Sequence, residues 1–174
     1  MDVNPTQGMK FEVKAGGKLN LEDSERVYGY IKPYLGFYNS IIRNRKLVLK
    51  TAVLGHFNVG RNYEFYQSAQ IGGENLLRGY RNQRFSGQSA LAGNVDLRYS
   101  FDQFKTRLLP LQIGVFVGTG TGRVWLEGAD ITNTWHSDFG GGFWLNSTDA
   151  IQGTLNLFTG EDGLRFSFGF SFNF

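Results

Sequence analysis

The sequence predicts an all-β fold, an antiparallel up-and-down transmembrane β-barrel of eight strands, on three observations. Apolar and polar residues alternate with a period of two along most of the chain, which gives a strand two unlike faces. The alternating segments are longer than the strands of most soluble proteins. The composition combines 24 Gly with 16 Phe and 8 Tyr, a mixture that suits strands and turns better than helices. At 174 residues the chain makes one domain, 1–174.

The strands fall at 9–20, 26–38, 46–58, 89–102, 107–125, 134–145, 150–159 and 163–174. Most reach the length of about 9–11 residues that a tilted strand needs to cross a bilayer. In the first, Met9, Phe11, Val13, Ala15 and Leu19 share one face, opposite Lys10, Glu12, Lys14, Gly16 and Lys18. The second sets Phe37 against Lys32 and Gly36. The third sets Leu47, Leu49, Val53 and Phe57 against Lys50, Ala52 and His56. The fourth sets Leu91, Val95, Leu97 and Tyr99 against Asn94, Asp96 and Arg98. Polar-row glycines mark the fifth (Gly114, Gly118) and the sixth (Gly140, Gly142, beside Asp138). In the last, Leu164, Phe166, Phe168, Phe170, Phe172 and Phe174 lie opposite Arg165, Ser167, Gly169, Ser171 and Asn173.

With the apolar phase chosen in each strand, no charge falls on the apolar row. Lys10, Glu12, Lys14, Lys18, Lys32, Lys50, Asp96, Arg98, Asp138 and Arg165 all fall on the other. A Lys or Arg facing lipid at the bilayer midplane costs about 2–4 kcal/mol, so a membrane would enforce this sorting. Alternation alone also describes a soluble ligand-binding barrel turned inside out. The glycine-crowded polar row suits a narrow interior, and Phe37, Phe57, Tyr99 and Phe174 at the ends of the apolar row suit interfacial girdles. Connections near 39–45, 103–106 and 146–149 are short, while 59–88 on the opposite side is long. That asymmetry belongs to outer-membrane barrels, and it puts both termini on the periplasmic side of a Gram-negative outer membrane. Closure is expected between 9–20 and 163–174, around an interior with room only for side chains.

Several classes are excluded or disfavoured. Without Cys there is no disulfide framework and no thiolate metal site. A net charge of +3 without a basic stripe gives no nucleic-acid partner. No apolar run approaches the roughly 18 residues of a transmembrane helix, and Met1–Pro5 has neither the basic start nor the apolar run of a secretion signal. His56 and His136, on separate strands, read as lumen packing rather than as metal ligands. Asp96, Arg98 and Asp138 read as an interior ion network, not as an acid–base pair. Ser86 lacks a nucleophile-elbow context, and Gly118–Gly122 lacks the Lys-Ser/Thr and helix of a phosphate loop. Neither an enzyme nor a cofactor is expected.

The long extracellular loop, 59–88, carries Leu76, Leu77, Tyr80 and Phe85 as apolar anchors and Arg78, Arg81 and Arg84 as reaching cations. Folded into the barrel, it would meet Asp96 and Asp138 in charge-assisted hydrogen bonds. Gly72-Gly73 followed by Leu77-Arg78-Gly79-Tyr80 resembles the signature of BamA-like outer-membrane insertases and two-partner secretion transporters, the bacterial surface antigen family. Asn94–Arg98, Gly122–Trp125 and His136–Gly142 resemble that family's later strands in order. Phe166, Phe168, Phe170, Phe172 and Phe174 resemble its C-terminal assembly signal.

The resemblance covers nearly the whole chain as the C-terminal eight strands of a sixteen-strand barrel. It is closest in kind to barrels that follow a phosphoesterase-like or patatin-like periplasmic domain. It implies a role in outer-membrane protein insertion or translocation, with lipids, the barrel-assembly machinery, client barrels or a second copy as partners. A structural anchor for an N-terminal enzyme domain is the alternative. One departure stands out. The acidic partner that the family offers the loop arginine falls here on Thr119 and Gly120, so Asp96 or Asp138 must substitute.

Overall fold

A computed structural model describes residues 5–19, 27–60, 67–73, 76–105, 110–126, 134–147 and 151–172. Within them the strands are β1 (Gly8–Leu19), β2 (Val27–Ser40), β3 (Leu47–Val59), β4 (Ala69–Ile71), β5 (Phe85–Gly87), β6 (Ser89–Ser100), β7 (Phe104–Lys105), β8 (Pro110–Trp125), β9 (His136–Ser147), β10 (Ile151–Gly160) and β11 (Gly163–Phe172). The described residues contain no α-helix, and therefore none long and apolar enough to cross a membrane.

The eight long strands pair in chain order, β1-β2-β3-β6-β8-β9-β10-β11, each antiparallel to the next. This is the up-and-down arrangement that alternation and short turns predict. A two-residue turn, Glu161-Asp162, joins β10 to β11, and Gly163 follows it at a φ of 102° that favours glycine. At the other end Arg45 takes a φ of 57° in the β2–β3 turn, which Ile41 N closes by donating to Leu47 O at 2.9 Å.

Burial divides the sheet as the alternation implies. Outer-row Val117 and Phe168 are 54% and 79% exposed, while inner-row Asp96 and Asp138 are both 3% exposed. Ala52, His56 and Asn94 are likewise buried on the inner face, and Val53, Val95, Phe139 and Phe143 exposed on the outer. The apolar row thus faces away from the protein interior and the polar row faces into it, the reverse of a soluble sheet. Aromatic pairs mark both ends of the outer face. Tyr99 and Phe101 meet edge-on at 5.2 Å near the short turns, and Trp125 and Trp135 at 6.5 Å near the long loops.

Three expectations need correction. First, no hydrogen-bonded pairing joins β1 to β11 among the described residues, so these form an antiparallel up-and-down sheet of eight strands in which closure is not seen. The inner face carries a whole chain segment, which takes more room than the side chains that fill an eight-strand barrel. Second, the loop from 59 to 88 is not structureless: β4 and β5 pair within it as a two-stranded ribbon. Third, Arg123 falls on the outer row of β8. It lies two residues from the strand end, with its guanidinium 5.1 Å from the Trp125 ring, where a long side chain can reach water past the aromatic rim. Asn20, Asn173 and Phe174 lie outside the described residues, as do the side chains of Leu19 and Phe172.

Candidate functional site: a loop latched to the inner face

The loop turns inward because of two adjacent glycines. Gly72 and Gly73 take φ values of 124° and 63°, and a Cβ at Gly72 would stand 2.5 Å from Arg81 O. The chain then doubles back, with Gly73 N donating to Leu77 O at 2.6 Å and Tyr80 N to the same oxygen at 3.3 Å. Leu77 and Tyr80 are fully buried, packed with Ala69, Ile71, Ala90, Ala92 and Val124 between ribbon and sheet. Burying Leu77 and Ile71 stabilises the docked loop by about 1.5–3 kcal/mol each relative to exposure.

Arg78 reaches furthest into the sheet. Nη1 donates to Asp96 Oδ2 at 3.3 Å and Nη2 donates to Asp96 Oδ1, a two-pronged pairing of guanidinium and carboxylate. The guanidinium carbon lies 4.1 Å from the Phe158 ring centre and 5.3 Å from that of Phe116, so aromatic faces cradle the charge. Asp96 also accepts from Asn94 Nδ2 at 3.3 Å, and Lys50 Nζ stands 3.9 Å away.

Glycines make the space. Asp96, Gly118, Gly140 and Phe158 lie side by side across β6, β8, β9 and β10. A Cβ at Gly118 would collide with the Asp96 carboxylate and come 2.9 Å from Arg78 Nη2. Two adjacent strands without side chains leave a trough, and the arginine occupies it.

Gly79 fits only as glycine. Its N–H donates to Asp138 Oδ2 at 2.6 Å, and a Cβ would stand 2.8 Å from Asp138 Cβ and 3.0 Å from the Thr159 carbonyl carbon. We expect Gly79→Ala to cost about 1–3 kcal/mol by overpacking against backbone that cannot yield. The check is a lower urea midpoint together with faster proteolysis within 67–88.

Tyr80 ties the loop to the last hairpin. Its hydroxyl donates to Ser137 O at 2.9 Å and accepts from Glu161 N at 3.3 Å, while its carbonyl accepts from Arg165 Nη1 at 2.5 Å. Phe85 stacks on His136 at 3.7 Å, and His136 Nδ1 lies 3.0 Å from Glu161 Oε2. Arg84 donates to both Asp162 oxygens, at 2.7 and 3.2 Å, and holds that carboxyl below its usual range.

Leu77, Arg78, Gly79 and Tyr80 therefore converge with Asp96 and Asp138. The carboxylates missing at Thr119 and Gly120 stand on the flanking strands: Gly118 is level with Asp96, and Gly120 with Asp138. Arg98 lies with its guanidinium 5.6 Å from the Trp144 ring centre. His56 packs edge-on to Tyr30 at 6.5 Å, well separated in the fold from His136. Phe166, Phe168 and Phe170 are exposed on the outer row of β11.

Sequence reasoning missed Phe116 and Phe158, the aromatic cradle, and the loop contacts of Arg165 and Asp162. A signal existed for Phe158: Leu155 and Leu157 fix the outer phase of β10, leaving it a large apolar side chain on the inner row. Among the described residues no group of three or more His or acidic side chains could hold a metal. The convergent groups are suited to holding a loop.

An antiparallel eight-strand meander with a basic loop clasped to its polar face is the class of protein these features define. No protein-family model matches the chain, and no curated protein matches it either.

Proposed function

We propose that this chain is an integral outer-membrane β-barrel segment of the BamA-like kind, serving outer-membrane protein insertion or translocation. The observation that carries the membrane reading is the inversion of the sheet. Apolar side chains of all eight long strands are turned outward and exposed, while Asp96, Asn94, His56 and Asp138 are buried on the inner face. A surrounding of acyl chains makes that sorting favourable. What supports the BamA-like reading is the Leu77-Arg78-Gly79-Tyr80 segment, which takes up an inward, carboxylate-clasped position.

A second reading, a membrane anchor for a periplasmic enzyme domain, is favoured by the density of that clasp. Its contacts tie the loop to β6, β9 and β11 and to the β10–β11 turn, as a static scaffold would. The test is reconstitution in vesicles containing brominated lipid, with a fluorophore on a cysteine introduced at Val95 or Leu49. Strong quenching is expected, and none would place the outer row in water and end the membrane reading. The same vesicles should then speed the folding of an unrelated outer-membrane barrel. An inserted protein without that effect would leave the anchor.

A further inference from the structure

The sheet has two edges, and the loop on its inner face decides how they are met. Among the described residues β1 is paired only with β2, and β11 only with β10, so each presents there a row of backbone N–H and C=O groups with no partner strand. In hydrocarbon such groups must be satisfied by another strand. If a single copy closed on itself, the resulting interior would accommodate little more than side chains. Here the inner face already carries residues 67–73 and 76–88, with Ala69, Ile71, Leu77 and Tyr80 fully buried beneath a two-stranded ribbon. A closed ring that keeps this segment inside needs more strands than eight.

We propose that the edges are met by a second copy of this chain, β1 of each copy pairing with β11 of the other to give a two-fold symmetric, sixteen-strand barrel. The inference rests on the membrane reading above. The strand directions suit it. β1 runs from the short-turn end to the long-loop end and β11 runs back, so the two would meet antiparallel, as every other pair in the sheet does. Their lengths are close, 12 and 10 residues. Their faces match as well: Met9, Phe11 and Val13 would continue the outer row of Leu164, Phe166, Phe168 and Phe170, all exposed here. Charge is complementary at the long-loop end, where Lys18 of β1 would come near the acidic Glu161-Asp162 turn that leads into β11. A two-fold axis satisfies both edges of both copies with one repeated contact and leaves no open end.

The chain has no cysteine, so introduced ones report without background. Val13→Cys is placed in one tagged chain and Phe166→Cys, Phe168→Cys or Phe170→Cys in another with a different tag, the three positions covering the alternative registers. The two chains are co-refolded in detergent and oxidised, and heat-modifiable gel mobility verifies folding. The expected result is a cross-link carrying both tags at one of the three positions, and a folded wild-type particle of twice 19.6 kDa by light scattering corrected for detergent. A folded monomer, or a cross-link formed only within a chain that carries both cysteines, overturns the proposal. So does a pairing found only with a different protein. Lipid quenching at a cysteine replacing Val117, far from either edge, separates the two failures. Quenching in a monomer removes the dimer and leaves the membrane reading, while absence of quenching removes both.

Discussion

Arg78→Ala should release the loop from the sheet and lower stability by about 3–5 kcal/mol, because it leaves the Asp96 carboxylate buried without its strongest partner. Asp96 is 3% exposed, and after the substitution Asn94 Nδ2 and the more distant Lys50 Nζ remain near it. The guanidinium's aromatic contacts with Phe116 and Phe158 are lost in the same step. Arg78→Lys should rescue little, since an ammonium cannot form two parallel bonds to one carboxylate or lie flat on a ring. Combining Arg78→Met with Asp96→Asn should cost clearly less than the sum of the two single changes, because the pair then loses both charges together. Urea midpoints of the refolded variants and the rate of proteolysis within 67–88 measure this. Strict additivity would remove the ion pair from the account of the loop.

The second large effect concerns the outer face. Val117 sits at the middle of β8 and is 54% exposed, whereas Leu164 lies one residue inside β11, beside its turn, and is 72% exposed. In lipid, Val117→Arg should cost about 2–4 kcal/mol and Leu164→Arg only about 0–1 kcal/mol, since the penalty fades toward the interface. In water both exposed substitutions would fall within roughly 0.5 kcal/mol of the parent. Reversible unfolding in short-chain lipid vesicles distinguishes these outcomes by the gap between the two variants. Equal, small effects would mean that the outer row does not face acyl chains.

Much of this arrangement is legible in the residues because a strand has only two faces. Once Val95 and Leu97 are assigned to one side of β6, Asp96 is fixed on the other, and neither register nor packing is needed to know it. The inward loop is legible for a similar reason: Leu77, Tyr80 and Phe85 are too apolar for a solvated excursion, and three nearby arginines need acceptors. Which acceptor Arg78 takes is less accessible. It depends on the alignment of β6 with β8, and the glycines at 118 and 140 become meaningful only when the strands lie side by side. The ribbon of β4 and β5 was hidden because three-residue strands give too short an alternation to recognise. Closure is not legible at this level, because alternation describes one strand at a time and says nothing of what meets the edges. Arg123 was misplaced because a charge at a strand end can avoid the cost that the middle imposes.

The contacts that Tyr80 makes join residues separated in sequence by 57 at Ser137, by 81 at Glu161 and by 85 at Arg165. Such separations set an order of events. Ser137, Glu161 and Arg165 reach their stations only after β9, β10 and β11 have come into register, so Tyr80 lacks these polar partners until the C-terminal hairpin is in place. A chain without its last hairpin would keep the Arg78–Asp96 pairing on β6 but leave the Tyr80 hydroxyl and carbonyl without Glu161 and Arg165.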